Sequence, residues 1–94
     1  MQNTEKLALM DKVLRELDDL KNSQTSILKK LSQIEADNIN LGVSLLDEKL
    51  PDIHEEVDSS ITIISDVTEK FKEQRDKFYS ENNMGSQEDP TAKK

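Results

Sequence analysis

The sequence predicts an all-α protein built from two long amphipathic helices. Apolar residues recur three and four positions apart over most of the chain, a spacing that places them on one side of a helix. The composition fits this class, because 33% of the 94 residues are hydrophobic and 35% are charged, with only two Gly and two Pro. Because these few apolar residues cannot fill a compact core, we expect a narrow apolar stripe that packs against other helices.

We assign residues 1–46 to a first coiled-coil helix, with Asn3 or Thr4 as its N-cap. Its apolar side chains follow five consecutive heptads, which is typical of a coiled coil. Leu14 and Leu28 on flanking positions widen the stripe, as in bundles of three or more helices. The a and d positions, which we interpret as a partner interface, are Met10, Val13, Leu17, Leu20, Gln24, Ile27, Leu31, Ile34, Asn38, Leu41 and Leu45.

Two amide side chains, Gln24 and Asn38, occupy a positions where this repeat calls for apolar residues. A polar residue in a helical seam reduces apolar burial, yet it fixes the register of the helices because it must meet another polar group. We interpret the two amides as a device that sets register between partner helices. The alternative is that both lie at the hydrated edge of a loose bundle. Under the first interpretation, replacing both with leucine would tighten association and relax partner specificity.

The heptad repeat fails after Leu45, close to Gly42 and Pro51, which both weaken helical structure. We assign residues 47–79 to a second, acidic helix, with Asp47 as its N-cap and Pro51 in its first turn. The two helices form either a coiled-coil hairpin or an extended helix–break–helix, and the pattern leaves both open. The second apolar stripe, also interpreted as a partner interface, consists of Leu50, Ile53, Val57, Ile61, Ile64, Val67, Phe71 and Phe78.

Charge and composition exclude several functional classes. The net charge of −7 argues against nucleic acid and against anionic membrane surfaces as partners. The chain contains no cysteine and no apolar run long enough for a signal peptide or a membrane span. We therefore expect a cytoplasmic protein without direct membrane insertion. Residues 80–94 show no periodicity and collect Asn, Gly, Ser and Pro, which predicts a disordered tail.

No residue pattern points to catalysis, a cofactor or a metal. His54 is the single histidine, and a lone histidine without cysteine makes a poor metal site. The sequence has no glycine-rich phosphate loop, no Ser/His/Asp grouping and no EF-hand pattern. We expect a protein that is not an enzyme and has no cofactor and no small-molecule substrate.

Two segments carry a resemblance to a known family. They read "LRELDDLKNSQTSILKKLSQIE" in the first helix and "LPDIHEEVDSSITIISDVTEKFKEQRDKF" in the second. The features in common are a leucine-rich stretch before Ser23–Gln24, the sequence "ILKKL" after this pair, and a linker that opens with "LPDI". Over residues 7–79 this arrangement resembles the snapin and pallidin-type subunits of the lysosome-related-organelle biogenesis complex and its lysosome-positioning relative.

The resemblance implies a small helical subunit of a cytosolic, elongated hetero-oligomer. Such a subunit acts in endosomal and lysosomal trafficking, lies peripheral to those organelles through its partners, and holds other coiled-coil proteins in register. Two alternatives stay open. One is a small helical subunit of a DASH-type kinetochore complex, and the other is a homo-oligomeric coiled coil that serves as a multimerisation module.

Overall fold

The structure, a computed structural model, describes residues 2–82 and consists of two α-helices that fold back on each other. Helix α1 is Asn3–Leu41 and helix α2 is Ser44–Glu81. The described part of the chain contains no strand. The all-α prediction is confirmed, and of its two open forms the structure adopts the hairpin.

Helix α1 begins with a capping arrangement at Gln2. The backbone N–H of Gln2 donates to Oε1 of Glu5 at 3.0 Å, and the Gln2 carbonyl accepts the N–H of Lys6 at 2.9 Å. Gln2 is therefore the N-cap, and Glu5 supplies the carboxylate half of a capping box. The predicted N-cap at Asn3 or Thr4 is wrong, because the helix begins one residue earlier, where the carboxylate of Glu5 accepts the N–H of Gln2.

The chain reverses direction at Gly42 and Val43. Gly42 has a φ of 64°, and its N–H donates to the carbonyl of Asn38 at 2.7 Å. This bond is the left-handed C-terminal motif of a helix, which glycine adopts because it has no Cβ. The carbonyl of Val43 accepts the N–H of Asp47 at 3.1 Å, which is the first hydrogen bond of α2. Val43 is therefore the N-cap of α2.

The predicted break between the helices lies too late in the chain. Gly42, and not Pro51, ends the first helix, because its left-handed backbone turns the chain. Leu45 belongs to α2 and so lies outside the heptads of α1. Asp47, predicted as an N-cap, lies inside α2, and Pro51 is the eighth residue of that helix rather than part of its first turn.

Replacing Gly42 with alanine should destabilise the protein by about 1 kcal/mol. The left-handed backbone at this φ brings the Cβ of an L-residue close to the following carbonyl oxygen, which glycine avoids. Crowding does not contribute, since a Cβ placed here meets no atom within 4 Å. Thermal unfolding followed by circular dichroism measures the change. Gly42→Asn is the matched control, because asparagine tolerates this backbone better than alanine. An alanine variant that melts at or above the asparagine variant would contradict the expectation.

The contacts divide the chain into two compact units, each made from segments of both helices. The turn unit is Asp19–Asp66 and contains the chain reversal, while the terminal unit combines, among the described residues, residues 2–18 with residues 67–82. Leu7 is buried in the terminal unit. The buried apolar residues of the turn unit are Leu31, Leu50, Val57 and Ile64.

The predicted tail overlaps the end of α2. Ser80 and Glu81 are helical. Residues 83–94, the rest of the predicted disordered segment, lie outside the described residues.

Candidate partner-helix interface

The turn unit packs its two helices together through part of the predicted apolar stripes. On α1, Leu31 at an a position is buried and Leu28 at the neighbouring e position is half-buried. On α2, Leu50, Val57 and Ile64 lie seven residues apart, and all three are buried. Full burial of such a side chain contributes roughly 1.5–3 kcal/mol. These residues therefore stabilise the hairpin itself.

The d positions of α1 within the turn unit stay exposed. Leu20 and Ile27 are each 46% exposed and Ile34 is 41% exposed, while Ile53 of α2 is 46% exposed. Ile27, Ile34 and Ile53 line an open groove of about 380 Å³. We call Ile27, Ile34 and Ile53 the apolar groove, and Leu20, one heptad before Ile27, extends this row of exposed side chains along α1. One side of the turn unit thus carries a row of aliphatic side chains that its own chain does not cover.

Another side of the turn unit is polar. Nδ1 of His54 lies 3.3 Å from Oε2 of Glu35, and both residues are half-buried. Glu35 follows Ile34 of the apolar groove by one residue, which is about 100° around a helix. The pair therefore joins α1 to α2 away from the groove, and the unit presents chemically different sides to a partner.

Asn38 is only 3% exposed and holds the turn together. Its Oδ1 accepts the N–H of Val43 at 3.0 Å, and its Nδ2 donates to Oδ1 of Asp47 at 2.7 Å and to the Val43 carbonyl at 3.5 Å. A helix end leaves backbone groups without helical partners, so this amide completes the cap that Gly42 begins. A hydrogen bond to a charged group contributes roughly 1.5–3 kcal/mol.

This network corrects the interpretation of Asn38 as a residue that sets register between partner helices. Its polar partners, Val43 and Asp47, belong to the same chain on the far side of the turn. Asn38 therefore sets the register of α1 against α2. Gln24 is half-buried in the turn unit, and its role in register stays a prediction.

An ion pair joins the two helices in the terminal unit. Arg75 donates from Nε to Oδ1 of Asp11 at 2.7 Å, from Nη2 to Oδ2 of Asp11 at 3.4 Å, and from Nη1 to Asp76 at 3.1 Å. The hydrogen bond to Asp11 has the largest effect on the pKa of Arg75 and raises it above its usual value. Arginine is always charged in proteins, so the guanidinium of Arg75 does not lose its proton and this ion pair does not depend on titration of the arginine. Its two hydrogen bonds to Asp11 align the helices of the terminal unit.

The other predicted interface residues divide between inward and outward positions. Ile61 is half-buried in the turn unit, while Leu41 and Leu45, beside the turn, are 66% and 64% exposed. Val67 is 46% exposed in the terminal unit. The half-buried members of the terminal unit are Met10, Val13, Leu17, Phe71 and Phe78.

Sequence reasoning missed two features of the terminal unit. Leu7 is 7% exposed and lies three residues before Met10, so the apolar spacing itself could have identified it. The pairing of Asp11 with Arg75 joins residues that are 64 positions apart, and no local pattern indicates it.

Neither a metal-binding cluster among the described residues nor a known relative gives further information on the function of this interface. Residues 2–82 contain no group of three or more His, Cys, Asp or Glu side chains that could hold a metal ion. Within the same range, neither helix is both long and apolar enough to cross a membrane. No protein-family model, curated protein or solved structure matches the chain. The functional proposal therefore depends on the apolar groove.

Proposed function

We propose that this protein is a non-catalytic subunit that adds its hairpin to a larger helical bundle, with a partner helix packed in the apolar groove. The observation that supports this is the exposure of Leu20, Ile27, Ile34 and Ile53, all of which are aliphatic. Single exposed aliphatic residues are ordinary on protein surfaces. A contiguous groove lined by isoleucines from two helices is instead typical of an interaction site.

The magnitudes favour assembly through several helices over binding of one. Covering the remaining exposed area of these four side chains, which are 41–46% exposed, would contribute roughly 3–6 kcal/mol. Loss of translational and rotational freedom on association costs about 4–15 kcal/mol. One helix in the groove alone would therefore bind weakly, and a stable complex needs further contacts from the same assembly.

We place this subunit in a cytosolic hetero-oligomer of endosomal and lysosomal trafficking, where it holds coiled-coil partners in register. Support for this finer assignment comes from the resemblance of residues 7–79 to snapin and pallidin-type subunits. The groove supports only the coarser role of contributing helices to a bundle.

Replacing both Ile27 and Ile34 with glutamine should abolish capture of partner subunits, because the partner would lose two apolar contacts and meet two amides. Glutamine is a good helix former, and neither isoleucine belongs to the buried residues of the turn unit, so the hairpin should stay folded. The measurement is affinity purification from native cells followed by mass spectrometry of the co-purifying chains. Circular dichroism checks that the variant keeps its helices.

The matched control replaces Ile39 and Ile63 with glutamine. These residues are 81% and 62% exposed, and neither lines the apolar groove, so the control should capture the same partners as wild type. Small coiled-coil trafficking subunits on the wild-type protein would support the full proposal. Kinetochore subunits would replace the trafficking assignment, and equal capture by the groove variant and the control would show that the groove is not the interface.

A further inference from the structure

We infer that the helix in the apolar groove comes from a different protein and carries lysine and arginine along both of its borders. This inference deepens the proposed function and rests on it. The turn unit, Asp19–Asp66, contains ten Asp and Glu residues against four Lys, which is a net charge of −6. The whole chain carries −7, so the unit that holds the groove also holds nearly all of the chain's excess negative charge.

On α2, two acidic residues lie close to the groove residue Ile53 along the helix. Asp52 precedes Ile53, and Glu56 follows it by three residues, so Glu56 lies one helical turn along the same side. Both carboxylates are exposed. The one lysine of this border, Lys49, lies 3.6 Å from Glu48, which offsets part of its charge.

On α1, the border is mixed. Asp19 precedes Leu20, and Asp37 lies three residues after Ile34; both are exposed. Lys30 lines the groove between them. Each border therefore carries two carboxylates and one lysine, so a helix seated between them meets a small excess of negative charge on each side.

A second copy of the chain is a poor occupant of this groove. It would bring another unit of charge −6 against the first, and juxtaposed like charges weaken association. A helix with an apolar stripe and basic borders fills the same groove and places cations beside Asp52, Glu56, Asp19 and Asp37. Opposite charges on such borders select the partner and speed its encounter.

Two synthetic helical peptides of about four heptads test the inference. Both have leucine and isoleucine at a and d, while one has lysine and the other glutamate at e and g. Each is titrated with the full-length protein and followed by fluorescence anisotropy. The lysine peptide should bind at least about tenfold more tightly than the glutamate peptide at about 50 mM salt, and the ratio should shrink at about 500 mM salt.

Charge reversal at the groove border makes the test local. Asp52→Lys with Glu56→Lys should weaken binding of the lysine peptide about tenfold, because two attractive contacts become repulsive. The matched control is Glu55→Lys with Asp58→Lys. It changes the net charge equally at exposed residues on other sides of α2, and it should change the affinity by less than about threefold.

Three results would overturn the inference. Equal binding of the two peptides would show that the groove takes helices without charge selection, and the proposed function would survive. A dimer of the wild-type protein that Ile27→Gln with Ile34→Gln converts to a monomer would make a second copy the occupant. A monomeric protein that binds neither peptide, even at about 1 mM peptide, would overturn the inference. The proposed function would fall with it only if the groove variant and its control also captured the same partner chains.

Discussion

Replacing Asn38 with leucine should destabilise the protein by about 2–3 kcal/mol, although the new side chain is apolar and the position is buried. Leucine cannot accept the N–H of Val43 or donate to the carboxylate of Asp47, which Asn38 does at 3.0 and 2.7 Å. A buried group left without a partner costs about 1–3 kcal/mol, and a lost hydrogen bond to a charged group costs a similar amount. The apolar gain of about 1–2 kcal/mol offsets only part of this loss.

The expected fall in melting temperature is about 10 °C or more for a protein of this size. Thermal unfolding by circular dichroism measures it. The matched control is Gln24→Leu, the same kind of substitution at the other amide of the heptad repeat, which should leave the melting temperature unchanged or raise it. An Asn38→Leu protein at least as stable as wild type would show that the turn does not depend on this amide.

Replacing Pro51 with alanine should stabilise the protein by about 1–3 kcal/mol. Pro51 is the eighth residue of α2 and is exposed. Its ring has no N–H for the carbonyl of Asp47 and crowds that carbonyl, and proline in a helix interior is about 3 kcal/mol less favourable than alanine. The gain is reduced because proline also restricts the unfolded chain. Urea unfolding gives the free energy directly.

Pro51→Gly is the control for this prediction. Glycine restores the same N–H but has a helix propensity about 1 kcal/mol poorer than alanine. The free energy of unfolding of Pro51→Gly should therefore be about 1 kcal/mol lower than that of Pro51→Ala. If both variants were less stable than wild type, the proline ring would contribute packing beside Leu46 and Leu50, with which it lines a small pocket at the turn.

The presence of two helices could be predicted because their apolar spacing is local and long. The break could not be placed as well, since Gly42 and Pro51 are both helix breakers in principle. Gly42 acts as one because its left-handed backbone receives support from Asn38. Pro51 is tolerated inside α2, where it removes only one N–H donor from the helical hydrogen bonds. Which of the two ends a helix depends on contacts that form only after the chain has turned.

The division of the apolar stripe also depends on folding. A heptad repeat identifies a and d positions, but it does not say which of them the chain's own second helix will cover. Here α2 covers Leu31 and Leu28, at a and e, so Ile27 and Ile34 at d stay exposed. The candidate site was therefore visible in the sequence as part of a broader stripe, and only the hairpin separates it from the core.

The turn also determines the order in which the hairpin closes. Asn38 and Asp47 are nine residues apart, Asp11 and Arg75 are 64 apart, and the side chains of Asn3 and Asn82, hydrogen-bonded at 2.9 Å, are 79 apart. In an unfolded chain, closing the longest of these loops costs about 2 kcal/mol more in loop entropy than closing the shortest. We therefore expect contacts next to the turn to form first, because each one shortens the loop that the next must close. On the same argument, the hydrogen bond between Asn3 and Asn82 is expected to form last and to open first.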